Sequence, residues 1–267
     1  MNTEQTLREA LTEVQQQGLD RLDAQMLLLL ALGRDLNHRA WLLAHDTDPM
    51  PTGAATRYAE LVHRRLAGEP VAYLAGTKAF YGLELQVDPR VLVPRPDTET
   101  LVQWALDLLA PTPARPRFLD LGTGSGAIAL ALASERPAWQ VTAVDRVPEA
   151  VALAERNRQR LQLDNVMVRA SHWFDALPAQ RFDLIVSNPP YIAEQDPHLV
   201  AGDVRFEPSS ALVAGLDGLD DLRLIIAQAP QHLAAGGWLM LEHGYDQAVA
   251  VRDLLLSQGF IEVHSRV

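Results

Sequence analysis

Phe182-Asp-Leu-Ile-Val-Ser187 is an apolar run of strand composition, and it is cut off by Asn188-Pro189-Pro190-Tyr191. Neither proline can donate a ladder hydrogen bond, so the strand must end there. In an open parallel sheet, ligands bind at the carboxyl ends of the strands. The four residues after Ser187 therefore belong at the lip of a site. Asn188 offers a side-chain carbonyl oxygen, and Pro189 offers its backbone carbonyl. Two adjacent acceptors can hold one NH2 group by both of its hydrogens. Tyr191 adds a flat face for the planar group that carries that NH2.

The rest of the chain supplies such a sheet. From Arg117 onward, strands alternate with helices, which predicts a doubly wound α/β sheet. The expected strands are Phe118–Leu121, Gln140–Val144, Val166–Arg169, Phe182–Ser187 and Gly237–Glu242, with a further strand beginning over Phe260–His264. Helices are expected over Ala127–Ser134, Pro148–Leu161, Leu219–Leu233 and Gln247–Gln258. Residues 3 to 70 carry helical periodicity only, broken by Gly18, Gly33 and Gly68, and read as a small bundle of four helices. Its His63, Arg64 and Arg65 read as a solvated face. Between the two lies a turn-rich bridge. Tyr81–Pro89 alternates as a hairpin strand does, and Val91–Val93 is its expected mate. Asp97 or Thr98 is positioned to cap a helix over Glu99–Leu109. The expected organisation is a helical domain over 1–70, a hairpin bridge over 71–96 and a sheet domain over 97–267.

Charge and composition narrow the chemistry. The 267 residues carry a formal net charge of -11, and this bulk charge gives none of the basic surface that duplex binding requires. Cysteine is absent, which removes disulfides and Cys-based metal sites and fits a reducing cytoplasm. The polar first residues contain no signal-peptide core, and the run from Met26 to Leu32 is too short to span a bilayer.

Asp120-Leu-Gly122-Thr123-Gly124-Ser125-Gly126 lies between the first strand and the first helix of the sheet domain. Glycines let a ligand approach the backbone, and the helix start beyond them offers free N–H groups. The spacing is G-x-G-x-G and not the G-x-G-x-x-G of dinucleotide proteins, so nothing marks a pyrophosphate site. Asp145 follows the second strand, about 20 residues on, where an acid can bind ribose hydroxyls. Trp173, after the third strand, is placed to flank an adenine. His172 beside it reads as solvent-exposed. Together these residues describe a nucleoside ligand without a diphosphate, and a cationic adenosyl sulfonium fits an acidic protein.

The sequence resembles the protein-(glutamine-N5) methyltransferases that act on class I peptide chain release factors. The residues that carry the resemblance are Gly68-Glu-Pro-x-x-Tyr73-x-x-Gly76, Val91-Leu-Val-Pro-Arg-Pro-Asp-Thr-Glu99, Asp120–Gly126, Asn188–Tyr191, Phe206-Glu-Pro-Ser-Ser-Ala-Leu212 and Gly236-Gly237 through Leu241-Glu-His-Gly244. The resemblance implies a seven-stranded, Rossmann-like class I methyltransferase sheet with an N-terminal helical bundle joined by a β-hairpin. S-adenosylmethionine is then the implied cofactor, held by Gly122, Thr123, Gly124, Ser125, Gly126, Asp145, Trp173 and Asn188. Asn188, Pro189, Pro190 and Tyr191 match the substrate glutamine site, with Asn188, Pro189 and Tyr191 in the catalytic role. The implied partner is the Gly-Gly-Gln loop of a class I release factor, met by a cytoplasmic monomer with no metal, no membrane and no stable nucleic-acid partner. The helical domain would recognise the body of that factor. Family members continue into a final strand containing Asp-Tyr and a late Arg, so an open sheet edge is expected near Phe260–Val267. Asn-Pro-Pro-Tyr by itself is shared with enzymes that methylate adenine-N6 or guanine-N2 in nucleic acids. That activity, with a flipped base stacked on Tyr191, is the alternative reading.

Overall fold

The computed structural model describes residues 5–109, 116–177 and 180–266. The chain divides into two compact units, Met1–Gly76 and Thr77–Val267.

The first unit is helical: α1 (Leu7–Gln16), α2 (Arg21–Ala31), α3 (Arg39–Ala44), α4 (Thr52–Leu66) and α5 (Val71–Ala75). Thr6 and Glu9 form a reciprocal capping box at the start of α1, and Asp20 caps α2 by accepting the Leu22 N–H. The core is aliphatic, built on Leu7, Leu27, Leu28 and Leu29, with Tyr58 buried against α2 and donating its hydroxyl to the Ala24 carbonyl. Helix α5 occupies part of the expected bridge, because Pro70 sets its entry and left-handed Gly76 closes it. Arg65 departs from the solvated face expected of it. It is half-buried and paired with Asp23 at 2.6 Å, whereas Arg64 stays exposed and bonds Glu69.

The second unit opens with an antiparallel hairpin, β1 (Thr77–Phe80) and β2 (Leu83–Gln86), followed by α6 (Thr98–Leu108). The mate of Leu83–Gln86 is therefore Thr77–Phe80 and not Val91–Val93. Tyr81 and Gly82 both take positive φ, as a two-residue hairpin turn of this hand requires. Val91–Val93 lies between Pro89 and Pro94, and the Val93 N–H goes to the Glu207 side chain in place of a ladder.

The sheet contains β3 (Arg117–Leu121), β4 (Gln140–Asp145), β5 (Val166–Ala170), β6 (Phe182–Ser187) and β7 (Leu233–Leu241). All neighbours are parallel, in the order β5-β4-β3-β6-β7. Helices α7 (Ala127–Glu135), α8 (Pro148–Arg160), α9 (Asp220–His232) and α10 (Ala248–Ser257) complete the alternation. Strands β3 and β6 and helix α7 are almost wholly buried, as parallel strands covered on both faces must be. The described residues hold five strands in this sheet, where the resemblance implied seven. No strand forms over Phe260–His264. The Phe260 N–H bonds the Leu255 carbonyl, and Glu262 takes a positive φ that breaks extended backbone.

Candidate active site

The chain reverses direction across the sheet between β3 and β6. Leu121 pairs with Ser187, and the Ser187 hydroxyl donates to the Leu121 carbonyl at 2.7 Å. The residues that follow each strand, Gly122 and Asn188, therefore emerge side by side at the switch point of the sheet, where such folds bind ligands. A cleft lies there with about 910 Å³ of space outside protein atoms, its mouth included. Gly122–Ser125, Asp145, Trp173, Asn188 and Pro190 line it, together with Arg90, Arg95, Thr98, Ser210 and Ala211.

The glycine loop is shaped by its neighbours. Gly122, Gly124 and Gly126 all have positive φ. A Cβ on Gly126 would stand 2.8 Å from Leu130 Cδ1, and one on Gly122 would stand 3.3 Å from the Trp173 ring. The backbone thus approaches helix α7 and Trp173 as only glycine permits. Asp145 holds the loop from the side: Oδ2 accepts the Gly124 N–H at 2.9 Å and Oδ1 accepts the Val147 N–H at 2.9 Å. Burial pushes its carboxyl up, and those two N–H groups pull it part of the way back. Each oxygen keeps acceptor capacity, as a ribose site needs. Trp173 also has positive φ and is buried, and its carbonyl accepts the Ser171 hydroxyl at 2.9 Å. His172 is exposed and faces Asp175.

Asp120 and Asn157 support the loop from below. Asp120 is buried, and its Oδ2 accepts from Thr123 Oγ1 at 2.6 Å and from the Ala129 N–H at 3.1 Å. Its Oδ1 is buried without a hydrogen-bond partner among the described residues, and burial pushes its pKa up to about 7. Asn157 of α8 is fully buried and donates to the carbonyls of Ser125 and Gln86 while accepting the Gln86 N–H. It ties the loop to the hairpin. Sequence spacing gave no hint of it, since one Asn in a polar helix has no signature.

The four residues after β6 do not all share the cleft. Asn188 and Pro190 line it, whereas the Pro189 ring is buried and is not among the lining residues. Tyr191 is half-buried on the β7 side and packs with the cluster of Leu219, Leu222, Ile226 and Val251. Its hydroxyl donates to Glu242 Oε1 at 3.3 Å, and burial pushes its pKa up to about 12. Gln247 fixes the turn by donating to the Tyr191 carbonyl at 2.9 Å. Asn188 Nδ2 donates to Thr98 Oγ1 at 3.1 Å. Thr98 is buried at the start of α6 and so belongs to the site, not to a helix cap: the α6 cap makes no side-chain hydrogen bond. Glu242 follows β7, with its N–H bonded to the Ser187 carbonyl at 3.0 Å, which sets it beside Asn188.

The cleft mouth is held by an ion pair between half-exposed Arg95 and a buried Glu207 carboxylate. Glu207 accepts the Val93 N–H at 3.1 Å and Arg95 Nη2 at 2.5 Å. Its carboxylate is fully buried, and burial raises its pKa while Arg95 lowers it. Arg146 adds a bond to the Ser210 carbonyl at 3.1 Å. The Phe206–Leu212 motif is thereby drawn to the segment before α6.

Comparison with known proteins agrees with this architecture. Residues 101–210 match the Methyltransferase small domain and residues 5–76 the PrmC N-terminal domain. The release factor glutamine methyltransferase of Pseudomonas aeruginosa is 60% identical over 245 residues, covering 92% of this chain and 87% of the relative. That of Escherichia coli K12 is 48% identical over 265 residues, covering 99% and 94%. Among solved structures, the hMettl16 catalytic domain with a MAT2A 3'UTR hairpin aligns with a TM-score of 0.54 at 18% identity, over 81% of this chain and 76% of that one. The T. thermophilus 16S rRNA N2 G1207 methyltransferase in complex with AdoMet and guanosine aligns with a TM-score of 0.51 at 24% identity, over 68% and 44%. These two show the class I methyltransferase fold alone. Identity of this extent across nearly the whole length places the chain in the family of release factor glutamine methyltransferases.

Proposed function

We propose that this enzyme methylates the side-chain nitrogen (N5) of the glutamine in the Gly-Gly-Gln motif of class I release factors, with S-adenosylmethionine as donor. The observation that carries the reading is the adjacency of Gly122 and Asn188 across the β3–β6 pair, which sets a nucleoside cradle against an NH2-accepting residue. The donor supplies an electrophilic methyl group when bound. The loop Gly122–Gly126, Asp145 and Trp173 suit its nucleoside, because Asp145 keeps free lone pairs and the Gly122 backbone comes within reach of the Trp173 ring.

A carboxamide nitrogen is a weak nucleophile, because its lone pair is delocalised into the carbonyl. Asn188 Oδ1 and the Pro189 carbonyl each accept one of its N–H bonds, which holds the nitrogen in line and favours the positive charge that grows on it. Orientation of this kind is worth up to ~7–11 kcal/mol, and aimed dipoles add to it. The nitrogen loses its proton to water after transfer, so no dedicated base is required. Tyr191 acts from beside the cleft, where it packs the glutamine stem and braces Glu242. The same reading makes the protein a cytoplasmic monomer with no stable nucleic-acid partner, the helical unit gripping the body of the release factor. Among the described residues, no helix is long and apolar enough to cross a membrane.

The test is incubation with labelled S-adenosylmethionine and either an unmethylated class I release factor or total RNA, followed by mass-spectrometric mapping of the label. Label on the Gly-Gly-Gln glutamine is expected. Label on RNA and not on the factor would move the activity to the nucleic-acid class.

A further inference from the structure

We infer that Thr98 and Glu242 set the polarity of the Asn188 clamp, and so make the site select a carboxamide over a carboxylate. The inference rests on the reading of Asn188 as the glutamine clamp. An asparagine amide has nearly the same shape at both ends, and turning it over replaces an acceptor by a donor. With Oδ1 toward the substrate, Asn188 receives an N–H. With Nδ2 toward it, Asn188 would instead favour a carboxylate oxygen. What selects the orientation must lie behind the side chain.

Thr98 is what lies there, and its oxygen accepts the Asn188 Nδ2–H at 3.1 Å. A threonine hydroxyl both donates and accepts, so Thr98 alone could stabilise either orientation. Glu242 removes the ambiguity. Burial raises its pKa and Asp97 adds to that, while the side chains of Thr98, Tyr191 and Asn188 around it pull the other way and favour the carboxylate. Tyr191 occupies Oε1, while Oε2 is buried with no partner at normal hydrogen-bond distance among the described residues. An ionised carboxylate only accepts, and a buried oxygen without a donor is costly. The Thr98 proton therefore turns toward Glu242, and Thr98 has only lone pairs left to offer Asn188. Nδ2 must face Thr98, and Oδ1 is left for the substrate.

Each member sits on a different element: Thr98 starts α6, Asn188 follows β6 and Glu242 follows β7. The ladder bond from the Glu242 N–H to the Ser187 carbonyl holds the last two in register. The negative charge of Glu242 behind the clamp also opposes a carboxylate in front of it. Thr98 and Glu242 are positioning residues, since both act through Asn188.

The test compares the wild type with Thr98→Val, Thr98→Ser, Glu242→Gln, Asn188→Ala and the double variant Thr98→Val/Asn188→Ala. The substrate is a full-length unmethylated release factor, and the competitor is the same factor carrying Glu in place of the target glutamine. Thr98→Val is expected to lower kcat by about 10-fold or more, on the scale of lost positioning groups, with the Kd for S-adenosylmethionine unchanged. It should also bind the Glu-bearing competitor more tightly relative to the substrate. Thr98→Ser should restore most of both properties, and the double variant should be no worse than Asn188→Ala. Glu242→Gln should shift discrimination in the same direction, and it decides the matter if Thr98→Val does not fold. Near-native kcat and unchanged discrimination in Thr98→Val or Glu242→Gln, with Asn188→Ala crippled, would overturn the inference and leave the clamp standing. Near-native kcat in Asn188→Ala would instead remove the clamp itself.

Discussion

Asn157 Nδ2 donates to the Ser125 carbonyl at 2.8 Å, so a side chain of α8 holds the glycine loop from the face opposite the cleft. The same amide is bonded in both directions to Gln86 of the hairpin, and Asn157 is completely buried. Asn157→Ala would strand an N–H and two carbonyls in the interior, at roughly 1–3 kcal/mol for each group left unsatisfied. Chemical denaturation should show a loss of about 3 kcal/mol or more. Cofactor affinity should fall with it, because the loop loses its rear anchor. A stable variant with native affinity would show that the loop is held by its own glycines.

Gly126→Ala should damage the loop by a second route. Alanine at φ +88 is strained, and its Cβ would stand 2.8 Å from Leu130 Cδ1. The left-handed conformation alone costs about 1–2 kcal/mol. Calorimetric titration with S-adenosylmethionine should show at least about tenfold weaker binding, the equivalent of 1.4 kcal/mol. The thermal midpoint should fall in parallel.

Asn188→Ala should lower turnover. The kcat on the release factor should fall on the order of 10²-fold, the scale for a lost preorganised dipole. Asn188→Asp keeps the size and the acceptor oxygens but cannot donate to Thr98 Oγ1. If the clamp needs acceptors alone, this variant should retain more turnover than Asn188→Ala. Single-turnover kinetics would resolve the two, and complete loss in Asn188→Asp would assign the essential contact to the Nδ2–H.

Asp120 makes stability depend on pH in a defined sense. Burial pushes its pKa up to about 7 in the folded state, against about 4 when unfolded. A carboxyl raised in this way binds more protons folded than unfolded. Its contribution is therefore most favourable below the unfolded value and is lost as pH rises from about 4 to about 7. The thermal midpoint of the ligand-free protein should fall across that window, and Asp120→Asn should flatten the fall. A cation in the cleft favours the ionised carboxylate. S-adenosylmethionine should therefore bind more tightly as pH rises through about 7, and S-adenosylhomocysteine, which lacks the sulfonium charge, should follow this trend less. Parallel titrations of the two ligands would check it.

Much of the site was legible before any coordinates. The apolar run ending at two prolines located β6 and its lip, because proline cannot continue a ladder. The G-x-G-x-G loop falls between β3 and α7 as its spacing required, and Asp145 falls at the end of the next strand. Each of these depends on residues close in sequence, whose backbone chemistry acts locally. The less legible elements depended on partners elsewhere. Val91–Val93 looked like a strand, but its backbone is held by Glu207, 114 residues from Val93. Phe260–His264 looked like another, but a strand exists only where a neighbour supplies the ladder.

The sequence by itself determined the alternation of strands and helices from Arg117 to Ser257, the place of the glycine loop between β3 and α7, and that of Asn188 directly after β6. Only the tertiary structure decided that Thr98 and Glu242 stand behind Asn188, since those contacts span 90 residues from Asn188 to Thr98 and 51 from Tyr191 to Glu242. The physical reason is that hydrogen-bond polarity belongs to a network. A threonine or a glutamate has no fixed role until packing fixes which groups it meets, and that packing is set by the register of β6 against β7.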